Sequence, residues 1–157
     1  MVGEVSTGNE HGEGKLNCYL RKAQWEDMDM LFQWANDGEV RKNSFSMEPI
    51  AYEEHIAWFK KKLGGGESQI YILEDGEDKI GTLRLDFDGN EVTVSYSIAA
   101  EYRKKGYGTV LIRLAEEKVP QRTLMKAFVK QENVASNKIF QKLGYKRDGT
   151  QYVKWIE

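Results

Sequence analysis

Apolar residues recur along this chain with two periods, and the change of period marks out its elements. In "WEDMDMLFQWAND" (25–37) Met28, Leu31, Phe32 and Ala35 fall at i, i+3, i+4 and i+7, which predicts an amphipathic helix. Asp27 and Asp29 near its start suit the positive end of the helix dipole. "YEEHIAWFKKKL" (52–63) sets Tyr52, Ile56, Phe59 and Leu63 on one helical face and stops at Gly64-Gly65-Gly66. From there the period shortens to that of strands. "QIYILE", "KIGTLRLDF" and "EVTVSYSIA" read as three neighbouring strands, joined by turns at Asp75-Gly76 and Asp88-Gly89-Asn90.

"NCYLRKA" (17–23) predicts a first strand, and 38–51 an irregular connection between the two early helices. Beyond the meander, "YGTVLIRLAEEKV" reads as a helix closed by Pro120, and "LMKAFV" as a strand. "NVASNKIFQKLGY" reads as a helix with Asn133 as N-cap, Ala135, Ile139, Phe140 and Leu143 facing inward, and Gly144 as its stop. "QYVKWI" closes the chain as a strand whose edge is open to a second copy, so a monomer or a homodimer is expected. The order βααβββαβαβ predicts an α/β (α+β) domain over 16–157, with a mostly antiparallel mixed sheet and helices on both faces. Residues 1–15, polar and glycine-rich and carrying His11, read as a leader outside it.

Composition removes several classes of function. The 157 residues carry a net charge of −2, so no global field recruits nucleic acid. The basic clusters "RKKGYG" and "FKKKL" come with no helix-turn-helix pattern. No apolar run is long enough to span a bilayer, and the start lacks the apolar stretch of a signal peptide. The single cysteine, Cys18, makes no internal disulfide and suits a reducing cytoplasm, where the protein is expected; it has no catalytic context. Ligand spacings for a metal are absent.

The chemistry concentrates in "EYRKKGYGT" (101–109), between a predicted strand and a predicted helix. Gly-x-x-x-x-Gly-Lys-Ser/Thr is absent, and a dinucleotide fingerprint fails because Leu111 stands where its third glycine belongs. What remains is Arg-x-x-Gly-x-Gly at a helix start. Glycines there allow close backbone approach, helix-end amides point outward, and Arg103, Lys104 and Lys105 add positive charge. A phosphate fits this junction; a tight turn with solvated lysines is the alternative.

Together with Asn133, Asn137 and Leu143-Gly144-Tyr145 about 25 residues downstream, Arg103–Gly108 resembles the signature of the GCN5-related N-acetyltransferase (GNAT) family, over residues 17–157. The resemblance implies acetyl-CoA as co-substrate and no metal. Lys104, Lys105, Gly106, Tyr107, Gly108 and Thr109 would meet the diphosphate, with Arg103 in the same motif. The pantetheine arm would run beside Ile98 and Ala100, and Asn133 and Asn137 would border the cofactor. Where many family members place a tyrosine that protonates the departing thiolate, this chain has Phe140. A phenyl ring donates no proton, which leaves Ser136, Tyr145 or water, or an unassisted thiolate. For a general base the sequence offers Asp86, Asp88, Glu91 and Glu101 without choosing among them.

The first half resembles acetyltransferases of nonulosonate (pseudaminic acid) and related surface-sugar pathways, which acetylate the 4-amino group of a UDP-linked amino-deoxy sugar. Trp34-Ala35-Asn36-Asp37, Val40-Arg41-Lys42-Asn43-Ser44 and Glu54-His55-Ile56-x-Trp58-Phe59 carry this likeness. On it, Arg41 and His55 would meet the nucleotide diphosphate, and Thr82 and Tyr96 would line the sugar site. Glu48, Glu53 and Glu54 keep open a cationic acceptor, such as a protein N-terminus or ribosomal protein. Phe140 keeps open a non-catalytic acetyl-CoA-binding module.

Overall fold

A computed structural model describes residues 17–157; the expected leader, with His11, lies outside the described residues. Seven strands form one sheet in the order β1-β2-β3-β4-β5-β7-β6. They are β1 (Cys18–Lys22), β2 (Ser68–Asp75), β3 (Asp78–Asp88), β4 (Glu91–Ile98), β5 (Thr123–Phe128), β6 (Lys146–Asp148) and β7 (Gln151–Ile156). Every pairing is antiparallel except β4 with β5. The helices are α1 (Met28–Ala35), α2 (Gly38–Lys42), α3 (Tyr52–Gly64), α4 (Tyr107–Glu117) and α5 (Val134–Lys142). The α/β fold with a mostly antiparallel sheet is as expected.

Two apolar cores flank the sheet. The larger joins Val110, Leu111, Leu114 and Ala115 of α4 and Phe140 of α5 to Leu83, Leu85, Val92, Val94 and Met125. The smaller packs Met28 and Leu31 of α1 and Phe59 of α3 on Ile70 and Ile72 of β2. Helices therefore cover both faces, as alternate residues of each strand require. Cys18 lies fully buried in the larger core.

Four details depart from the sequence reading. The connection 38–51 begins with a short helix, α2, because the Asp37 carboxylate accepts from the Glu39 and Val40 amides and caps it. α3 turns His55 and Phe59 inward and leaves Tyr52 and Leu63 at the surface. On α5, Ser136 and Phe140 are the buried residues, whereas Ala135 is exposed. Finally, β7 is no edge: it pairs with β5 on one side and with the three-residue β6 on the other, so the open edge expected for the last strand is already filled.

Candidate active site

The site begins where two strands part. β4 and β5 pair only at Glu91–Thr93 with Leu124–Lys126. Beyond that point β4 continues through Val94–Ile98 with no partner on its β5 side, and β5 turns into the loop leading to α5. Right-handed sheet twist carries parallel neighbours apart once their ladder stops, leaving a row of backbone donors and acceptors to be met by something else. A cleft of about 1260 Å³ opens along this gap. Its lining includes the loop 103–109, the start of α5, β3 and β4, and α2 with the segment that follows it.

At one end the cleft meets the glycine junction. Lys104 and Gly106 both adopt positive φ, 64° and 88°. A left-handed residue between right-handed or extended ones gathers successive N–H groups on one side. Gly106 is the N-cap of α4, with no side-chain hydrogen bond in that role, so the first-turn amides look into the cleft along the helix dipole. Lys104 is exposed and lines the cleft; Lys105 is exposed but does not line it, and the same holds for Ala100. Gly108 serves packing as well: a Cβ there would stand 2.6 Å from Ile139 Cδ1.

Arg103 does something other than face a phosphate. Its Nε donates to the Ile98 carbonyl at 3.0 Å and its Nη2 to Asp37 Oδ2 at 2.5 Å. The guanidinium therefore shapes the loop from within and ties it to the cap of α2. Burial alone would raise the Asp37 carboxyl, but the Arg103 hydrogen bond and the α2 amides outweigh this and hold it below its ordinary range.

At the other end, β3 and β4 present a polar floor. Ser97 lies opposite Thr82, Ser95 opposite Arg84, and Thr93 opposite Asp86. Thr82 donates to the Tyr71 carbonyl at 2.9 Å. Arg84 donates to Asp86 at 2.8 Å and to Ser95 Oγ at 3.3 Å, and lies 5.3 Å from the Trp58 ring centroid. Lys62 reaches the same Asp86 carboxylate at 3.3 Å. Of these three charged side chains only Arg84 lines the cleft, so it is the charge that the floor presents. Between the two ends, on the opposite face of β4 from Ser95 and Ser97, the Tyr96 hydroxyl lies 2.5 Å from Ser136 Oγ, and both residues line the cleft.

Several expected site residues take structural roles. Arg41 makes four hydrogen bonds, to the carbonyls of Ala35, Ser46 and Glu48 and to Ser44 Oγ, and so organises the segment after α2. His55 is 4% exposed among Phe32, Trp58 and Phe59, and its Nε2 is buried without a hydrogen-bond partner. Burial lowers its pKa, against a hydrogen bond with the Met28 backbone, so it offers no cation to a diphosphate. Asn137 is absorbed by the carbonyls of Lys130 and Asn133 and by Tyr152 and Arg147, away from the cleft. Tyr145 is buried and donates to Glu116 at 2.8 Å; burial and that carboxylate push its pKa up. It does not line the cleft and is no proton donor there.

Asn133 caps α5 through the Ser136 amide, as expected, and lines the cleft with Ile98, Tyr107 and Thr109. Tyr107 donates to Asp75 at 2.6 Å, so its side chain anchors α4 to the sheet. Phe140, 1% exposed, stacks on Tyr152 as a core residue. None of Asp86, Asp88, Glu91 and Glu101 lines the cleft; its carboxylates are Glu39, Glu54 and Glu132, all exposed. Arg84, and the capping and pairing role of Asp37, escaped the sequence reading, although both left a signal. Asp37 precedes Gly-Glu-Val in N-cap position, and Arg84 alternates with Thr82 and Asp86 on the polar side of a strand. Among the described residues no group of three His, Cys, Asp or Glu could hold a metal ion, and no helix is long and apolar enough to cross a membrane.

Solved structures share this architecture. A spermidine N-acetyltransferase from Vibrio cholerae, in complex with CoA and spermine, is 19% identical, covering 88% of this chain and 92% of its own at a TM-score of 0.75. The ribosomal L7/L12 alpha-N-protein acetyltransferase RimL, in complex with CoA, is 12% identical over 92% of this chain and 97% of its own, with a TM-score of 0.74. The aminoglycoside acetyltransferase AAC(6')-Ib, in complex with ribostamycin and CoA, is 18% identical over 88% and 93%, with a TM-score of 0.76. At these identities the likeness is one of fold. The sequence matches no curated protein. A family model described as an acetyltransferase (GNAT) domain matches residues 17–146, and by that match the chain belongs to the GNAT acetyltransferase family.

Proposed function

We propose that this protein is an acetyl-CoA-dependent N-acetyltransferase whose acceptor is the 4-amino group of a UDP-linked 4-amino-4,6-dideoxy sugar. The donor half of this reading rests on the junction 103–109, where α4 lacks a side-chain cap and exposed Lys104 stands at the cleft. A diphosphate suits that geometry, and the open edge of β4 suits the amides of an extended pantetheine arm. The Ile98 carbonyl is already taken by Arg103, so such pairing falls upstream of it. An N–H on the same edge would stabilise the oxyanion formed as the amine attacks the thioester carbonyl.

The observation that carries the acceptor is the positive, hydroxyl-bearing floor around Arg84, with the Trp58 ring beside it. A nucleoside diphosphate offers negative charge and a flat base to these groups. Spermine and ribostamycin, held by two of the similar structures, are polycations, which the Arg84 guanidinium in the floor disfavours. In this reading Arg84 takes the place first given to Arg41 and His55, with Thr82 beside it. Exposed Glu39, Glu54 and Glu132 at the rim favour a second reading, in which the acceptor is a cationic peptide N-terminus.

Incubation with acetyl-CoA and the UDP-amino sugar, with parallel reactions on spermine, an aminoglycoside and a Ser-initiated peptide, tests this by product mass. One acetyl group gained on the sugar alone supports the proposal. Acetylation of a polycation or peptide in place of the sugar overturns the acceptor, and CoA binding without turnover of any amine favours a non-catalytic module. Arg84→Ala should raise the KM for the sugar nucleotide about thirtyfold, the loss of about 2 kcal/mol expected for one charge-assisted contact. The KM for acetyl-CoA should not move.

A further inference from the structure

We infer that Tyr96 and Ser136 form a proton relay to the departing CoA thiolate, with Ser136 as the group that touches sulfur and Tyr96 as its proton source. The inference rests on the acetyl-CoA reading of the cleft. Two hydroxyls 2.5 Å apart share one hydrogen bond and hold two protons between them. If Tyr96, the more acidic phenol, donates to Ser136, the serine's own proton is left for a third atom. Ser136 sits in the first turn of α5 and lines the cleft, so that third atom belongs to whatever the cleft holds.

Ser95 accepts from Arg84 on the opposite face of β4, and the other hydroxyls whose bonds are on the page are otherwise occupied. Thr82 donates to the Tyr71 carbonyl and Ser44 to the Val40 carbonyl. Tyr145 and Tyr107 are bound to carboxylates, and Phe140 has no proton to give. Three features hold the pair in place. Tyr96 stands on the stretch of β4 that has no partner on its β5 side, edge-on to the Phe140 ring at 6.3 Å between centroids. Gly108 leaves room for it: a Cβ there would meet Tyr96 Cε2 at 3.7 Å and the hydroxyl at 3.8 Å. The Ser136 amide is fixed by the Asn133 cap, so the α5 terminus adds a favourable dipole for negative charge on sulfur.

The step balances. The amine nitrogen bonds to the thioester carbon, the C–S bond breaks, and the electron pair leaves on sulfur. Ser136 gives its proton to the thiolate and takes the proton of Tyr96. The proton lost by the acylated nitrogen passes to water, from which Tyr96 recovers its own. Burial raises the Tyr96 pKa, with the Ser136 hydrogen bond opposing, so the phenol keeps its proton at neutral pH until the thiolate forms.

The test needs no acceptor. A hydroxyl that donates to a thiolate lowers the thiol's pKa, and the bound CoA thiol can be titrated by the ultraviolet absorbance of the thiolate while calorimetry follows CoA affinity. In wild-type protein the bound thiol should titrate about one pH unit below free CoA, a tenfold gain in thiolate. Ser136→Ala and Tyr96→Phe should each return most of that shift with CoA affinity within about twofold. Phe140→Tyr in the Tyr96→Phe background, restoring a phenol next to the lost one, should recover part of it. Both substitutions leave Arg103, Lys104 and Glu132 in place, so their influence on the thiol is common to all variants. Equal thiol titration in wild type and both single variants, with CoA bound, overturns the relay alone. Failure of wild-type protein to bind CoA overturns the relay together with the reading on which it stands.

Discussion

At the scale of single residues, chemical type was easier to read than direction. Arg41, His55 and Arg103 carry side chains that suit phosphate, but each is turned toward the protein. Carbonyls left over where chain segments end need donors, and an arginine fork meets several at once. Arg41 does this for the segment after α2, and Arg103 for the end of β4. No pattern in the sequence distinguishes such an arginine from one facing a ligand. His55 gives the clearest consequence. Its pKa is lowered by burial, so below the unfolded value of about 6.5 the unfolded chain binds a proton that the folded chain refuses. Stability associated with His55 is therefore full above that value and is lost as pH falls toward the folded pKa. Thermal unfolding should show wild type losing more Tm than His55→Gln between about pH 7.5 and about pH 5.5. Carboxylates held low by partners, such as Asp37 and Asp86, act in a more acid window and contribute equally to both proteins. Parallel pH curves for the two would contradict the assignment.

At the scale of elements, the strongly periodic pieces were legible and the short ones were not. β2, β3 and β4 declare themselves by alternation and by Asp-Gly turns whose glycines adopt φ of 64° and 62°. α2 and β6, five and three residues long, are too short to show a period and exist through tertiary contacts. α3 is legible to within one residue of its length but with a rotated face, because Tyr52, His55, Ile56, Trp58 and Phe59 offer more than one apolar stripe and the sheet takes the one with His55 and Phe59. Two couplings between elements can be measured. Asp37 both caps α2 and pairs with Arg103, so it holds the acceptor-side segment against the cofactor loop. Asp37→Ala should cost about 1–2 kcal/mol of stability: about 1 for the cap and less for an ion pair about one quarter exposed. It should also raise the KM of donor and acceptor together, whereas Arg84→Ala raises one. The α4–α5 contact supplies the other coupling. Gly108→Ala drives a methyl against Ile139 Cδ1 and should destabilise by about 1–3 kcal/mol. Ile139→Val removes the obstructing atom, so the double variant should recover much of that loss; strict additivity would show that the clash lies elsewhere.

At the scale of the whole molecule, the sheet is one continuous element with a deliberate gap. Its seven strands are joined by five antiparallel pairings on either side of a single parallel contact, and that contact is three residues long. Twist spreads β4 from β5 beyond Thr93, so the sheet stays closed at Glu91–Thr93 while its other end opens into the cleft. The exposed backbone there is a cost to the unliganded protein, tolerated because water reaches it, and it becomes an asset when an extended chain lies against it. Hydrogen exchange should report both states. In the free protein, amides of 94–98 that point away from β3 should exchange much faster than those of 91–93, which the β5 ladder protects. Added CoA should slow the first group and leave the second unchanged, and at about 100 times its Kd should stabilise the fold by about 2.7 kcal/mol. Protection that appeared only in the loop 103–109 would mean that the cofactor rests on the α4 terminus without entering the gap. In that case the thioester would stand apart from Tyr96 and Ser136, and the separation of β4 from β5 would need another explanation.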